Sequence, residues 1–168
     1  MKKISGLLIF FMVLFGCNKD NPAPPRCDMQ EIYTENEAKV TITSGIWGTV
    51  ASMEGNCMPM VPSSSTCQTC AVKRTVKIYE YTLPGQATRS GNSPSFFDRF
   101  TTRLVAQVDT DDNGFFQTAI TAGHYTIVIV ENGQLYANGS DGQGGISPVT
   151  YSTGKLNLNL TMTYKAVF

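Results

Sequence analysis

The stretch Val105–Val130 constrains the fold most, because it alternates apolar and polar residues on either side of two turn sequences. The first turn, Asp109–Gly114, ends in Asn113-Gly114, and both residues tolerate the positive φ that a tight hairpin requires. A second turn ends at Gly123 and begins another alternating segment. We therefore predict three strands here, against which the rest of the chain can be laid.

Other segments alternate in the same way and also predict strands. They are Gly45–Val50, Val72–Tyr81, Leu135–Ala137, Val149–Tyr151 and Leu156–Tyr164. Glu131-Asn132-Gly133 predicts a further hairpin turn, and Glu31–Lys39 is interpreted as a loop or a short helical turn. No window of ten or more residues after the N-terminal leader has convincing helical periodicity. The fold class predicted is all-β: an antiparallel β-sandwich of about seven or eight strands.

The N-terminus has the features of an export leader. Lys2 and Lys3 form a positive region, and Ile4–Phe15 is an apolar run shorter than the ~20 residues that a spanning helix needs. We predict that this segment is removed rather than retained as a transmembrane helix.

The leader ends in Leu14-Phe15-Gly16-Cys17, which resembles the lipobox of bacterial lipoproteins. The resemblance implies cleavage between Gly16 and Cys17, with acyl chains such as palmitate on Cys17. Several acyl chains together anchor a protein stably, so the membrane is an expected partner. Asn18 stands where the usual inner-membrane retention signal has Asp, which favours the outer membrane and leaves open which face of it the chain occupies.

We predict three regions in the chain. Residues 1–16 are the signal peptide, residues 17–37 are the lipidated cysteine with a polar, Pro-rich tether, and residues 38–168 are the β-sandwich domain. The tether interpretation follows from Asn18–Arg26, which has nothing to bury and prefers an extended conformation. The formal net charge is zero over the whole chain, so no nucleic-acid partner is expected.

Four cysteines follow Cys17: Cys27, Cys57, Cys67 and Cys70. Outside the cytoplasm thiols are usually oxidised, so two disulfides are predicted, each contributing ~2–4 kcal/mol. Four cysteines allow three pairings, and the spacing does not choose among them. A redox pair in Cys67-Gln-Thr-Cys70, or a zinc site, is the alternative, although a redox motif of this type is expected to be followed by a helix.

Metal and cofactor sites find little support in the sequence. Asp109, Asp111 and Asn113 imitate the start of a calcium loop, but Ile120 occupies the position of the bidentate glutamate. His124 is the only histidine, which excludes a site built from several histidines. We expect no cofactor, and interpret Asp109–Gly114 as a turn.

Aromatic residues supply the candidate binding surface. Trp47, the only tryptophan, is interpreted as a buried residue, with an exposed stacking platform for a sugar or a membrane as the alternative. Phe96, Phe97 and Phe100 are expected to fold back on the sandwich as a lid, with a patch that binds a partner as the alternative.

Several of these motifs together resemble the carboxypeptidase regulatory-like domain, a β-sandwich of the transthyretin (prealbumin-like) type. The residues that carry the resemblance are Gly48-Thr-Val50 with Gly55 and Pro59, Val76-Lys-Ile78, Thr110–Phe116 and Gly123–Ile129. The insertion Cys57–Cys70 departs from the family pattern. The resemblance implies an accessory, structural or binding module with no catalytic residues to carry over.

The function predicted is that of a non-enzymatic, lipid-anchored binding or assembly module of the cell envelope, with an envelope protein or a glycan as partner. The alternative is a small envelope redox or metal-binding protein that uses Cys67 and Cys70. A purely structural spacer is a third reading.

Overall fold

The computed structural model describes residues 26–59 and 66–168. Within these residues the chain forms one α-helix and twelve strands in two packed sheets, which confirms the all-β sandwich and gives more strands than the seven or eight predicted. The helix is α1 (Met29–Ala38). The strands are β1 (Gly45–Asn56), β2 (Gln68–Ala71), β3 (Thr75–Glu80), β4 (Ala87–Arg89), β5 (Phe96–Phe100), β6 (Leu104–Asp109), β7 (Phe115–Thr118), β8 (Gly123–Glu131), β9 (Gln134–Tyr136), β10 (Pro148–Tyr151), β11 (Lys155–Asn157) and β12 (Leu160–Val167).

The five-stranded sheet is built around β1, which is long enough to pair with two strands on each side. On one side β7 and then β2 run antiparallel to it. On the other side β11 and then β12 run parallel to it. The sandwich is therefore not wholly antiparallel, because the last two strands enter beside β1 in the same direction.

The seven-stranded sheet has the order β4-β5-β9-β8-β3-β6, with β10 paired to the first half of β8. All its pairs are antiparallel. The predicted hairpin turn after Glu131 is confirmed: it joins β8 to β9, and Asn132 and Gly133 have φ values of 52° and 81°. Positive φ at both central positions is the geometry that suits a tight hairpin.

Two apolar clusters hold the sandwich together. The larger lies between the sheets and includes Ile46 and Val50 from one sheet and Ile78 and Ile127 from the other. The second covers the outer face of the seven-stranded sheet. Its members are Tyr79, Phe97, Val128, Leu135, Ala137 and Ile146. Because this sheet is covered on both faces, five successive residues of β8 are buried. Neither face of β8 is therefore exposed along this stretch.

The central turn differs from the prediction in its role. Strands β6 and β7, on either side of Asp109–Gly114, do not pair with each other: β6 pairs with β3, and β7 pairs with β1. The turn therefore carries the chain from one sheet to the other rather than closing a hairpin. Gly114 is required there, because it has a φ of 70° and a β-carbon on it would lie 2.2 Å from the carbonyl oxygen of Val50.

The domain starts earlier than the predicted boundary at residue 38. Helix α1 is ten residues long, and Ile32 and Asn36 on it are fully buried. Arg26, ahead of the helix, accepts a hydrogen bond at its carbonyl from the Ala71 backbone N–H, at 2.9 Å. The part of the predicted tether from residue 26 to residue 37 thus belongs to the packed domain. The sequence shows no helical periodicity over α1, because only one apolar side chain and one amide side chain of this helix are buried.

The leader, Gly16, Cys17 and the first part of the tether lie outside the described residues. Across residues 26–59 and 66–168, no helix has both the length and the apolar character needed to cross a bilayer.

Candidate functional site

A groove lies on the outer face of the five-stranded sheet, beside helix α1. Its volume is about 260 Å3. The lining residues are Tyr33, Glu37, Trp47, Thr49, Asn157 and Asn159. Tyr33 and Glu37 come from α1, Trp47 and Thr49 from the neighbouring β1, and the two asparagines from a distant segment at and just after β11, so the groove exists only in the folded domain.

Strand alternation supplies the floor of the groove. Trp47 and Thr49 are two residues apart on β1, and both project away from the inter-sheet core that holds Ile46 and Val50. In the parallel pairing of β1 with β11, Trp47 lies beside Asn157. The backbone N–H of Thr49 donates to Oδ1 of Asn159 at 3.1 Å. The indole and the two amides are therefore held side by side.

The close approach of two backbones makes this arrangement possible. The N–H of Leu158 donates to the carbonyl of Trp47 at 2.8 Å. A β-carbon on Gly48 would lie 1.9 Å from the Leu158 carbonyl oxygen, so only glycine fits at this position. Leu158 then lies in the partly buried layer against the core, and its two asparagine neighbours border the groove.

Helix α1 supplies the wall, and Asn36 attaches it to the sheet. Its amide donates to the hydroxyl of Thr49 at 2.9 Å and to the carbonyl of Asn113 at 3.0 Å. Asp28 caps the helix by accepting from the Glu31 backbone N–H at 3.1 Å. The residue after each buried helix position, Tyr33 after Ile32 and Glu37 after Asn36, borders the groove.

An ion pair supports the same helix from the other side. Arg26 donates to both carboxylate oxygens of Glu35, at 2.7 and 3.0 Å. Asn113 donates to the same carboxylate at 2.9 Å. The hydrogen bond from Arg26 is the largest influence on Glu35 and lowers its pKa. Glu35 is thereby committed to holding the helix, whereas Glu37 faces the groove.

The polar groups that border the groove are largely without protein partners. Among the described residues, the side chains of Tyr33, Glu37, Trp47 and Asn157 make no hydrogen bond or ion pair. Trp47 itself is half-buried, so part of its side chain stays accessible. A partly exposed indole beside amide, hydroxyl and carboxylate groups that have no protein partner is suited to binding a polar ligand.

The position of Trp47 is intermediate between the two sequence interpretations. The ring is neither fully buried nor a freely projecting platform. Sequence reasoning did not find Tyr33, Glu37, Asn157 or Asn159. A signal for the asparagines was present, because Leu156-Asn-Leu158-Asn-Leu160 places both amides on the face opposite the leucines.

Of the three phenylalanines, Phe97 and Phe100 pack as a lid on the outer face of the seven-stranded sheet, and Phe96 does not. Phe97 is buried, and its ring lies 5.4 Å from that of Phe100. Phe100 also contacts Tyr79 edge-on at 5.1 Å. Phe96 turns to the other side of the sheet and packs against the core. Phe97 and Phe100 thus stabilise the outer face of the seven-stranded sheet, and none of the three rings lines the groove.

Two disulfides are present, as predicted. Cys27 pairs with Cys70, and Cys57 pairs with Cys67. The first bridge ties the segment before α1 to β2. Cys67 and Cys70 thus belong to different bridges, so the geometry does not form the Cys67–Cys70 redox pair or a four-thiolate zinc site.

The calcium-like residues are occupied by contacts within the protein. Asp111 accepts from the backbone N–H groups of Asn113 and Phe115, both at 2.9 Å, and from Nζ of Lys39 at 2.7 Å. Asp109 accepts from the Thr75 hydroxyl at 2.6 Å. Within the described residues, no group of three or more His, Cys, Asp or Glu side chains is arranged to hold a metal ion. The segment works as a turn.

The buried acid Glu131 also has a structural role. Burial raises its pKa, but the hydrogen bonds from Arg74 and from the Tyr164 hydroxyl, the latter at 2.6 Å, outweigh this, and the net pKa is lowered. Asp141 is similar: the backbone N–H of Gly145 is the largest influence and lowers its pKa. Both carboxylates are charged because the protein supplies donors, and neither lines the groove.

The chain matches no protein-family model, no curated protein and no solved structure.

Proposed function

We propose that this chain is a non-enzymatic, lipid-anchored β-sandwich of the bacterial cell envelope that binds a ligand in the groove beside Trp47. The observation that carries the proposal is the convergence of four side chains without protein partners, Tyr33, Glu37, Trp47 and Asn157, on one cavity. A domain with two apolar clusters and two disulfides supplies a rigid scaffold for such a cavity.

Sequence and covalent structure together support the envelope location. Leu14-Phe15-Gly16-Cys17 has the pattern of a lipid attachment site. Disulfides persist in oxidising compartments, and Cys27–Cys70 and Cys57–Cys67 are both oxidised. With Asn18 after the cysteine, we propose attachment to the outer membrane through acyl chains.

A binding role is favoured over catalysis because the acids whose pKa values are displaced have structural contacts. Glu131 is held by Arg74, and Asp111 closes the turn between β6 and β7. The resemblance to carboxypeptidase regulatory-like domains supports the same reading, since that resemblance implies an accessory module.

Membrane attachment is tested by labelling cells with a clickable palmitate analogue and separating the membranes on a density gradient. We expect the label on the wild-type chain in the outer-membrane fraction and none on Cys17→Ser. A matched variant, Asn18→Asp, restores the retention signal and is expected to move the labelled chain to the inner membrane. Wild-type protein that is unlabelled and soluble would contradict the anchor.

Ligand binding through the groove is tested by photo-crosslinking in intact cells. A photoreactive residue placed at Asn157 is expected to capture an envelope component. The control position is Lys73, whose side chain is 67% exposed and lies outside the groove. Equal capture at both positions, or none at either, would contradict a binding role for the groove.

A further inference from the structure

We infer that the ligand of the groove is a neutral carbohydrate, one ring of which stacks on the indole of Trp47. This inference rests on the proposed binding function and names its ligand class. A sugar ring has an apolar C–H face and a rim of hydroxyl groups, so it needs an aromatic plane bordered by donors and acceptors. Trp47 is bordered in this way by amide, hydroxyl and carboxylate groups.

The two asparagines are suited to a ligand rich in hydroxyl groups. An amide side chain offers both a donor and an acceptor, and neighbouring sugar hydroxyls can use both at once. Asn157 has its whole amide available, because it makes no side-chain hydrogen bond to protein within the described residues. Asn159 uses Oδ1 to accept from the Thr49 backbone, which leaves its NH2 group as a donor.

The charge of the groove selects against anionic ligands. Among the described residues that line it, Glu37 is the only charged one. This part of the lining has no lysine or arginine to bind a phosphate, a sulfate or a uronic acid. The hydroxyl groups of a neutral sugar can donate hydrogen bonds to this carboxylate, whereas the carboxylate of an acidic sugar would be repelled by it.

The sheet pairing disfavours a peptide. Extended peptides usually bind by adding a strand to a free sheet edge. Next to Trp47, β1 is paired with β11 on one side and with β7 on the other, so a peptide lying in the groove cannot add a strand to β1. Recognition on the β1 floor of the groove therefore falls to the side chains of Trp47 and Thr49, which suits a sugar better than a polypeptide.

The size of the groove sets how much of a glycan it takes. Its volume of about 260 Å3 lies just below the ~300–1,000 Å3 of pockets that enclose a drug-sized molecule. We therefore expect one sugar ring in the groove, with the rest of the glycan passing over the surface between α1 and β11.

The single tryptophan makes a direct test possible, since all the tryptophan emission of the protein comes from Trp47. The full chain in detergent is titrated with neutral oligosaccharides, namely cellohexaose, maltohexaose, mannohexaose and hexa-N-acetylchitohexaose. Hexagalacturonate serves as the anionic counterpart. At least one neutral oligosaccharide is expected to change the emission saturably, and hexagalacturonate to bind more weakly.

Variants locate the binding by isothermal titration calorimetry with that same oligosaccharide. Trp47→Ala is expected to weaken binding by at least about tenfold, and Trp47→Phe to recover part of the loss. Asn157→Ala is expected to weaken binding by about threefold to tenfold, the loss of one hydrogen bond. Phe168→Ala, which removes an exposed aromatic ring outside the groove, is the matched control and should leave binding unchanged.

The outcomes separate this inference from the proposed function. Saturable binding that Trp47→Ala and Asn157→Ala weaken supports both. No binding of any neutral oligosaccharide, together with a protein captured at Asn157 in cells, overturns the carbohydrate inference and leaves the binding function standing. No oligosaccharide bound and nothing captured overturns both. Tighter binding of hexagalacturonate than of every neutral sugar also overturns the inference.

Discussion

Replacing Gly48 with alanine tests whether the close approach of β1 to the β11–β12 connection holds the groove together. The new β-carbon would lie 1.9 Å from the carbonyl oxygen of Leu158, whereas real β-carbon contacts are essentially never below 3.0 Å. The connection therefore has to retreat by roughly 1 Å from a strand to which it is hydrogen bonded. The φ of Gly48 suits any residue, so the expected effect is steric.

The magnitude follows from the contacts that such a retreat breaks. The hydrogen bond from Leu158 N–H to the Trp47 carbonyl and that from Thr49 N–H to Asn159 Oδ1 both cross the gap that has to widen. Each is worth about 0.5–1.5 kcal/mol net, and forcing an atom into a packed site costs about 1–3 kcal/mol. We expect Gly48→Ala to lower the free energy of unfolding by about 3 kcal/mol, and the midpoint temperature by about 10 °C.

The assay is thermal unfolding of the protein followed by circular dichroism, with the emission of Trp47 recorded in parallel. Gly85→Ala is the matched control, because no atom lies within 4 Å of its added β-carbon and its backbone conformation is unstrained. We expect the free energy of unfolding of Gly85→Ala to lie within about 1 kcal/mol of the wild-type value, and any change to be stabilising. A midpoint for Gly48→Ala within about 2 °C of wild type would refute the reasoning.

Two further predictions concern covalent and electrostatic restraints. The Cys27–Cys70 bridge spans 43 residues and the Cys57–Cys67 bridge spans 10. Replacing both cysteines of a bridge by serine should lower the free energy of unfolding by about 4 kcal/mol for Cys27–Cys70 and by about 3 kcal/mol for Cys57–Cys67. A larger loss for the shorter loop in urea unfolding would contradict the loop-entropy argument. Because the folded-state pKa of Glu131 is lowered from 4.5, the stability it contributes is present above pH 4.5 and is lost as the pH falls through the lower folded value. Glu131→Gln should therefore be less stable than wild type at pH 7, with the difference shrinking below pH 4.5; a difference that does not change with pH would contradict this role.

Local patterns were sufficient to predict most of the strands. Period-two alternation depends only on the residues within a strand, so the segments around Gly45–Val50, Val72–Tyr81 and Leu156–Tyr164 all contain strands. The hairpin after Glu131 was also predicted, because Asn132 and Gly133 favour a tight turn whatever surrounds them.

The alternation of apolar and polar residues does not specify which strand pairs with which, and the predictions of strand pairing and strand ends were less accurate. Leu156–Tyr164 looks like one strand but forms β11 and β12, since Leu158 breaks the ladder where it meets Gly48. Helix α1 depends on a few long-range contacts, chiefly those of Asn36 with Thr49 and Asn113, and so leaves little periodic signal.

The amino-acid sequence by itself determined the all-β class, most strand positions and the local hairpin turn, because each depends on neighbouring residues. Only the tertiary structure decided which strands share a sheet, how the cysteines pair, and that Tyr33, Trp47 and Asn157 meet in one groove. Those outcomes depend on contacts between different segments of the chain, which are as much as 110 residues apart for the hydrogen bond of Thr49 with Asn159.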